Sequence, residues 1–193
     1  MNKGRMEAFS DGVLAILITI MVLELRIPSG SSLGALSPLL PTFLVYALSF
    51  LILGIYWNNH HHLVHAASHI TGAVLWSNIH LLFWLSLVPF VTGWMGENHF
   101  AAVPTAAYGT VMLLAAIAYF ILQSTIVGIE GKQSRLAKVL GKDVKGKTSL
   151  VLYAVSIPTA LLQTWISDSI FVVVALIWLV PDSRIEHLFS TRE

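Results

Sequence analysis

The sequence contains no cysteine and few charged residues. The absence of cysteine excludes disulfide bonds, thiolate metal sites and a cysteine nucleophile. Charged residues make up only 11% of the 193 residues, against about 25% in an ordinary soluble domain. The formal net charge of +1 excludes a strongly basic nucleic-acid-binding protein. With 56% hydrophobic residues, the chain is predicted to lie in a membrane.

Long apolar runs predict an all-α membrane protein with six transmembrane helices. A span needs roughly 20 mostly apolar residues, and the candidates are about 4–25, 39–59, 71–95, 102–128, 148–166 and 168–181. The last two are separated so tightly that they are expected to form a hairpin. The chain, 1–193, is predicted to be a single membrane domain. Its N-terminus lacks a cleavable signal pattern, so the first span is expected to remain in the mature protein.

The distribution of basic residues predicts that both termini lie in the cytoplasm. With six spans and a cytoplasmic N-terminus, Arg26 is the one basic residue of eleven that falls outside. This asymmetry agrees with the positive-inside rule, whereas five spans would leave the C-terminal basic residues outside. The inner basic residues are Lys3, Arg5, Lys132, Arg135, Lys138, Lys142, Lys145, Lys147, Arg184 and Arg192.

The first apolar run, "RMEAFSDGVLAILITIMVLEL" (residues 5–25), carries polar residues inside it. In one interpretation, Ser10 and Asp11 cap a helix that begins at Gly12. Residues 12–25 would then rise only about 21 Å, well short of a hydrocarbon core of about 30 Å. We therefore favour a helix that begins near residue 3 or 4 and contains Asp11, whose carboxylate has to face protein or water.

Helical geometry separates two faces of this first span. An apolar stripe at helical spacing is formed by Phe9, Val13, Ile16, Ile20 and Leu23. Asp11 lies about 140° around the helix from Ile16, and Thr19 lies about 60° to the side of it. If Asp11 faces the helix bundle of its own subunit, the stripe faces either lipid or a partner. The spacing alone leaves both possibilities open, and lipid is the default.

The end of the second span is rich in histidine. Steps of four place His61, His65 and His69 on one helix face, and neutral imidazoles at that spacing are plausible ligands of zinc, iron or haem. No Glu-x-x-His pair or acidic cluster accompanies them. The alternative is an interfacial, hydrogen-bonding helix end on the cytoplasmic side.

Asn78, early in the third span, is expected at the same depth as Asp11 and His61. A buried polar group without a hydrogen-bond partner costs several kcal/mol. We therefore expect these side chains to form hydrogen bonds with one another. The sequence therefore predicts a buried cluster of Arg, Asp, His and Asn side chains.

Residues of the first three spans carry a family resemblance. They are Arg5, Phe9, Ser10, Asp11, Gly12, Val13, Ala15, Ile16, Thr19, Leu23, Glu24 and Leu25 in the first, Tyr56, Trp57, His60 and His61 in the second, and Asn78, Pro89 and Phe90 in the third. This pattern resembles the opening signature of bacterial members of the lysosomal potassium channel family (transmembrane protein 175). The likeness is specific over about residues 5–94, and beyond them it rests on span count and length.

The resemblance implies a potassium-selective cation channel with six helices per subunit and a pore lined by the first helix of each subunit in a homotetramer. It implies no enzyme activity, no cofactor and no nucleic-acid partner; K⁺ and other monovalent cations would permeate, and the lipid bilayer would surround the protein. The expected location is a prokaryotic plasma membrane. The family lacks a Thr-Val-Gly-Tyr-Gly filter loop, and "VTGWMG" at 91–96 echoes that loop only superficially.

Carried onto this chain, the resemblance implies a pore constriction formed by Ile16, Ile20 and Leu23. The helices behind it would be braced by Arg5, Phe9, Ser10, Asp11, Trp57, His61 and Asn78. Rings of Ile and Leu gate by dewetting, and without a carbonyl filter selectivity has to come from pore width and partial dehydration at Ile16. Hydroxyls of Thr19 would offer replacement oxygens beside that seal, so both positions are assigned to selectivity. No metal site is predicted.

Other classes of function stay open at this stage. A histidine-rich membrane oxidoreductase would use the imidazoles to hold a metal or haem. A small secondary transporter is expected to show inverted repeats or helices broken at midplane, and the sequence shows neither. A purely structural membrane protein is a further alternative.

Overall fold

The structure is a computed structural model, and it describes residues 2–131, 134, 137 and 143–179. Within these ranges the chain is helical and has no β-strand. The helices are α1 (Lys3–Leu23), α2 (Leu40–Ala66), α3 (Gly72–Ser86), α4 (Val88–Glu97), α5 (Ala102–Glu130), α6 (Val144–Leu162) and α7 (Thr164–Leu179), with a 3-10 helix at Leu33–Leu39. Because α3 and α4 together fill the third span, the described helices occupy all six predicted positions, and the all-α prediction is confirmed.

Four helical segments among the described residues are long and apolar enough to cross a membrane. They are α1, the 3-10 helix together with α2, α3 together with α4, and α5. The last helix, α7, is apolar but has only 16 residues in the described range. Residues 180–181 of the sixth predicted span lie outside the described residues.

The first helix begins at Lys3, as the length argument predicted. Asn2 is its N-cap, and the Asn2 side chain accepts a 3.2 Å hydrogen bond from the backbone N–H of Gly4. The 21 residues of α1 span about 31 Å, enough for the hydrocarbon core. Asp11 therefore lies in the interior of the helix, and the alternative of a helix that begins at Gly12 is wrong.

The third span is interrupted, which its hydropathy did not predict. α3 ends at Ser86, Leu87 lies between the helices, and α4 begins at Val88. Pro89 stands in the first turn of α4, where it has no N–H to donate to a carbonyl one turn earlier. The backbone N–H of Leu87 bonds instead to the carbonyl of Trp84 at 3.2 Å. The proline thus explains the break.

The interior is formed around α5, which packs against α3, α4 and α6. α5 and α6 approach closely at Gly109, because a Cβ at that position would lie 2.6 Å from Oγ of Ser156. Buried hydroxyls join α2, α4 and α5: Oγ of Ser49 lies 2.7 Å from Oγ1 of Thr92 and 3.0 Å from the hydroxyl of Tyr108. The chain therefore has its own core, and α1 is attached to that core along one side.

The two ends of the bundle are each tied by charged side chains. At the end where α1 begins, Lys3 and Glu130 both bond to the connection between α2 and α3. At the opposite end, Nη2 of Arg26 lies 2.8 Å from Oε1 of Glu97, which joins the segment after α1 to the end of α4. Six basic residues on which the orientation prediction depends lie outside the described residues: Lys132, Arg135, Lys138, Lys142, Arg184 and Arg192.

Candidate functional site

α1 has one buried side and one exposed side. The buried side, which packs into the subunit core, consists of Met6, Ser10, Leu14, Leu17 and Met21. The exposed side includes the large apolar residues Phe9, Ile16, Ile20 and Leu23. Ile16 is 59% exposed and Leu23 is 76% exposed in the single subunit. Four of the five residues of the stripe predicted from helical spacing thus face away from the bundle, whereas Val13 is partly buried against the core.

The position of Thr19 is defined by a bond within α1. Its hydroxyl donates a 2.9 Å hydrogen bond to the backbone carbonyl of Ala15, and its side chain lies on the exposed side, beside the line of Ile16 and Ile20. Because the proton is used within the helix, the lone pairs of Oγ1 point outward. A hydroxyl held in this way acts as an acceptor, which is the role required to replace a water molecule of a cation's hydration shell.

A chain of buried hydrogen bonds ties the other side of α1 to α2 and α3. Nε2 of His60 lies 2.7 Å from Oδ1 of Asn78, and Nδ2 of Asn78 donates a 3.0 Å bond to Oγ of Ser10. Ser10 donates to the carbonyl of Met6 at 2.9 Å. Since an amide oxygen can only accept, His60 carries its proton on Nε2. The side chains of His60, Asn78 and Ser10 therefore each have a hydrogen-bond partner.

Asp11 is held by a separate contact on the edge of α2. Nε1 of Trp57 donates a 2.9 Å hydrogen bond to Oδ1 of Asp11. The Trp57 indole stacks on the ring of His61 with a centroid separation of 6.2 Å, and His61 stacks on His65 at 6.0 Å. The structure thus brings Asp11, Trp57 and His61 together, although His61 is exposed and does not reach Asn78 in the single subunit.

The buried imidazole is that of His60, which the sequence analysis did not assign to the bracing set. His60 is 2% exposed. Steps of four and seven place it on the buried face of α2 with Ser49, Leu53 and Val64. That spacing is readable from the sequence, so helical periodicity applied to α2 as well as to α1 identifies the inward histidine.

Two charged residues at the start of α1 differ from the predicted cluster. Arg5 is exposed, and its side chain has no hydrogen bond or ion pair within the described ranges of the single subunit. Oε1 of Glu7, by contrast, is buried without a hydrogen-bond partner among those residues. The bracing role of Arg5 and of the exposed Phe9 stays a prediction.

The histidine-rich stretch does not form the three-residue face expected from its spacing. α2 ends at Ala66, so His69 lies in the connection that follows and not on the helix face of His61 and His65. In the part of the chain that the structure describes, no group of three or more His, Asp or Glu side chains is arranged to hold a metal ion. The expectation of one face for all three histidines is therefore wrong.

Sequence comparisons relate these features to known proteins. Residues 5–89 match the family model described as the endosomal/lysosomal potassium channel TMEM175. A potassium channel of Chryseobacterium sp. (strain P1-3) is 52% identical over 186 residues, which cover 96% of this chain and 97% of that protein. The human endosomal/lysosomal proton channel TMEM175 is 41% identical over 75 residues, which cover 33% of this chain and 15% of that protein.

A comparison with solved structures extends the similarity to the whole fold. The crystal structure of a lysosomal potassium-selective channel TMEM175 homolog from Chamaesiphon minutus superposes with a TM-score of 0.80 at 27% sequence identity. The superposition covers 92% of this chain and 96% of that one. The similarity therefore includes the later helices, where the sequence resemblance rested only on span count and length.

Proposed function

This chain belongs to the endosomal/lysosomal potassium channel TMEM175 family. On that premise we propose that it is a multi-pass membrane protein that forms a potassium-selective cation channel. The observation that carries the proposal is the exposed stripe of Ile16, Ile20 and Leu23 on a helix that is anchored from behind by polar contacts. An exposed apolar stripe fits either lipid or a pore wall. The family, whose members are described as potassium channels, favours the pore wall.

We propose that four copies assemble with their α1 helices around a common axis. One subunit contributes a single α1, which cannot by itself enclose a pore, and rotational symmetry repeats the same face of α1 around the axis. Ile16, Ile20 and Leu23 would then form stacked aliphatic rings. Such rings expel water when they are narrow, and they conduct when they widen.

Selectivity in this arrangement is assigned to Ile16 and Thr19. The chain has no Thr-Val-Gly-Tyr-Gly sequence, so discrimination between K⁺ and Na⁺ has to come from pore width and the cost of partial dehydration. The outward lone pairs of Thr19 would replace some of the lost water oxygens. A ring of hydroxyls exerts a weaker electrostatic field on the ion than a cage of carbonyls does, so we expect a modest preference for K⁺ over Na⁺.

The proposed location is a prokaryotic plasma membrane with both termini in the cytoplasm. Support comes from the ten-to-one distribution of basic residues between the predicted inner and outer segments. The permeant ions are K⁺ and other monovalent cations, and the proposal requires neither a cofactor nor an enzymatic step.

Ion flux from liposomes tests the proposal. Purified protein is reconstituted into vesicles loaded with K⁺, and efflux is measured with Na⁺ and a large organic cation as controls. We expect K⁺ efflux to exceed Na⁺ efflux and the large cation to be excluded. A parallel measurement under a pH gradient separates proton permeation, for which the vertebrate relatives are named. Equal leakage of all cations, or none, would contradict the proposal.

A further inference from the structure

Three helix ends meet at the connection between α2 and α3, residues 67–71. Nζ of Lys3, the first residue of α1, donates to the backbone carbonyl of His65 and, at 3.1 Å, to that of Ala67. Carbonyls at the C-terminal end of a helix have no partner within the helix, and a cation there also interacts favourably with the helix dipole. α1 therefore caps α2 with its own first side chain.

The next residue of the connection is held from another helix. The backbone N–H and the hydroxyl of Ser68 both donate to Oε1 of Glu130, each at 2.7 Å. Glu130 is the last residue of α5. Nδ1 of His69 lies 2.9 Å from the Ser68 hydroxyl, and it donates to that oxygen because the Ser68 proton is already given to Glu130. The carboxylate thus fixes the connection by two bonds to one residue.

Opposite charges from two helices therefore hold adjacent residues of one connection. We define the Lys3, Ser68 and Glu130 contacts as the loop clamp. The loop clamp joins the end of α5 to the first residue of α1 by hydrogen bonds on either side of the Ala67–Ser68 peptide bond.

The loop clamp is the outermost anchor of α1 at this end of the bundle. The next polar anchor along the helix is Ser10, seven residues and about 10.5 Å further on. Between them Met6 is buried, while Arg5 and Phe9 are exposed. Without Lys3, the first two turns of α1 would be held mainly by one apolar side chain. Their position relative to neighbouring copies of α1 would then be less well defined.

We infer that Lys3 and Glu130 are positioning residues: they fix the first turns of α1 and thereby the tilt of the helix that carries Ile16 and Thr19. The inference rests on the proposed function, because it assigns the exposed side of α1 to the pore. Neither side chain touches the ion. Both act through the α2–α3 connection, and a change at the end of α5 is transmitted to α1 by the same bonds.

The reversal potential under a K⁺/Na⁺ gradient, measured on tetramer purified by size, tests the loop clamp. Lys3→Met and Glu130→Met, which remove the donor and the acceptor of the clamp, should each lower the permeability ratio of K⁺ to Na⁺ at least threefold, because a loosely held α1 samples wider pores. Lys3→Arg retains donors that reach both carbonyls and should keep the wild-type ratio. The double variant should have a ratio no lower than that of the more affected single variant, because both changes break one path.

Lys147→Met is the matched control. It removes one positive charge from an exposed lysine of α6 whose side chain has no partner within the described residues, and it should leave the ratio unchanged. A purely structural role for Lys3 and Glu130 would reduce the yield of tetramer and leave the ratio of the remaining tetramer at the wild-type value; that result overturns the inference. If Ile16→Asn alters the current while every loop-clamp variant keeps the wild-type ratio, the inference fails and the proposed function stands. If wild-type tetramer carries no cation current, both fail.

Discussion

Nε1 of Trp57 lies 2.9 Å from Oδ1 of Asp11, so α2 holds α1 through a carboxylate that lies within the membrane-spanning helix. The neighbouring residue, Ser10, faces the core and bonds to Asn78 at 3.0 Å. Two consecutive residues thus attach α1 to two different helices. The opposite side of α1 is left apolar and exposed. The hydrophobic helix thus carries Asp11 because the carboxylate attaches it to α2.

Removal of the Asp11 carboxylate should damage assembly more than it alters ion preference. Asp11→Ala leaves the Trp57 indole without its acceptor, and we expect a loss of about 1 kcal/mol for this partly exposed hydrogen bond. Asp11→Asn retains a side-chain oxygen and should lose less. The fraction of tetramer in size-exclusion chromatography and the thermal midpoint measure the loss. A well-assembled Asp11→Ala tetramer with a strongly changed ion preference would contradict this expectation, and would mean that Asp11 either lies in the conduction path or sets the position of α1 as the loop clamp does.

His60 and His61 should differ sharply although they are adjacent. His60→Phe removes the donor to Asn78 in a buried site, and leaving a buried polar group unpaired costs about 1–3 kcal/mol. His61→Phe retains a ring that can stack on Trp57, so its effect should be within about 0.5 kcal/mol. Thermal unfolding of the two variants in the same detergent makes the comparison. Equal loss in both, or a larger loss for His61→Phe, would contradict the assignment of His60 as the buried link.

Cysteine crosslinking should join neighbouring subunits along the exposed side of α1. The chain has no native cysteine, so single substitutions need no background correction. Ile16→Cys and Leu23→Cys should form disulfide-linked dimers in the membrane, because these positions repeat around the axis. Leu17→Cys is the control, since Leu17 is 5% exposed and packs into its own subunit. Failure at both exposed positions beside efficient crosslinking at Ile18→Cys would rule out the proposed arrangement.

Replacement of the Thr19 hydroxyl should reduce ion preference and leave assembly intact. Thr19→Val nearly preserves the shape of the side chain and removes an oxygen whose lone pairs face away from the helix. The permeability ratio of K⁺ to Na⁺ should fall, and the tetramer should elute as the wild type does. Thr19→Ser retains the hydroxyl and should keep most of the preference. An unchanged ratio in Thr19→Val would remove Thr19 from the selectivity assignment.

The positions of the helices could be predicted because each span is a long apolar run. The start of α1 at Lys3 also followed from sequence, since a helix from Gly12 is too short to cross the hydrocarbon core. The interruption at Leu87 was not predicted, because hydropathy is averaged over a window and continues across Pro89. Pro89, which has no N–H to donate within a helix, was the residue of the sequence that indicated the interruption.

The contacts of the site could be predicted only in part. Asp11 and Trp57 come from separate helices, and their distance depends on how α1 and α2 cross, which composition does not determine. The choice of His60 over His61 as the buried link required knowledge of which face of α2 is buried. The loop clamp joins Lys3 to residues more than 60 positions away, and no local pattern in the sequence indicates such a pair.

The current carried by Ile16→Asn tests most directly whether the exposed side of α1 lines the pore. An amide at this ring lowers the barrier to wetting, because apolar confinement is what expels water. Single-channel or liposome currents should rise several-fold above the wild type, and the K⁺ preference should loosen. Ile121→Asn, the same change at an exposed position on α5, is the control and should conduct as the wild type does. Wild-type currents and ion preference in a fully assembled Ile16→Asn tetramer would mean that this side of α1 faces lipid, and would contradict the account.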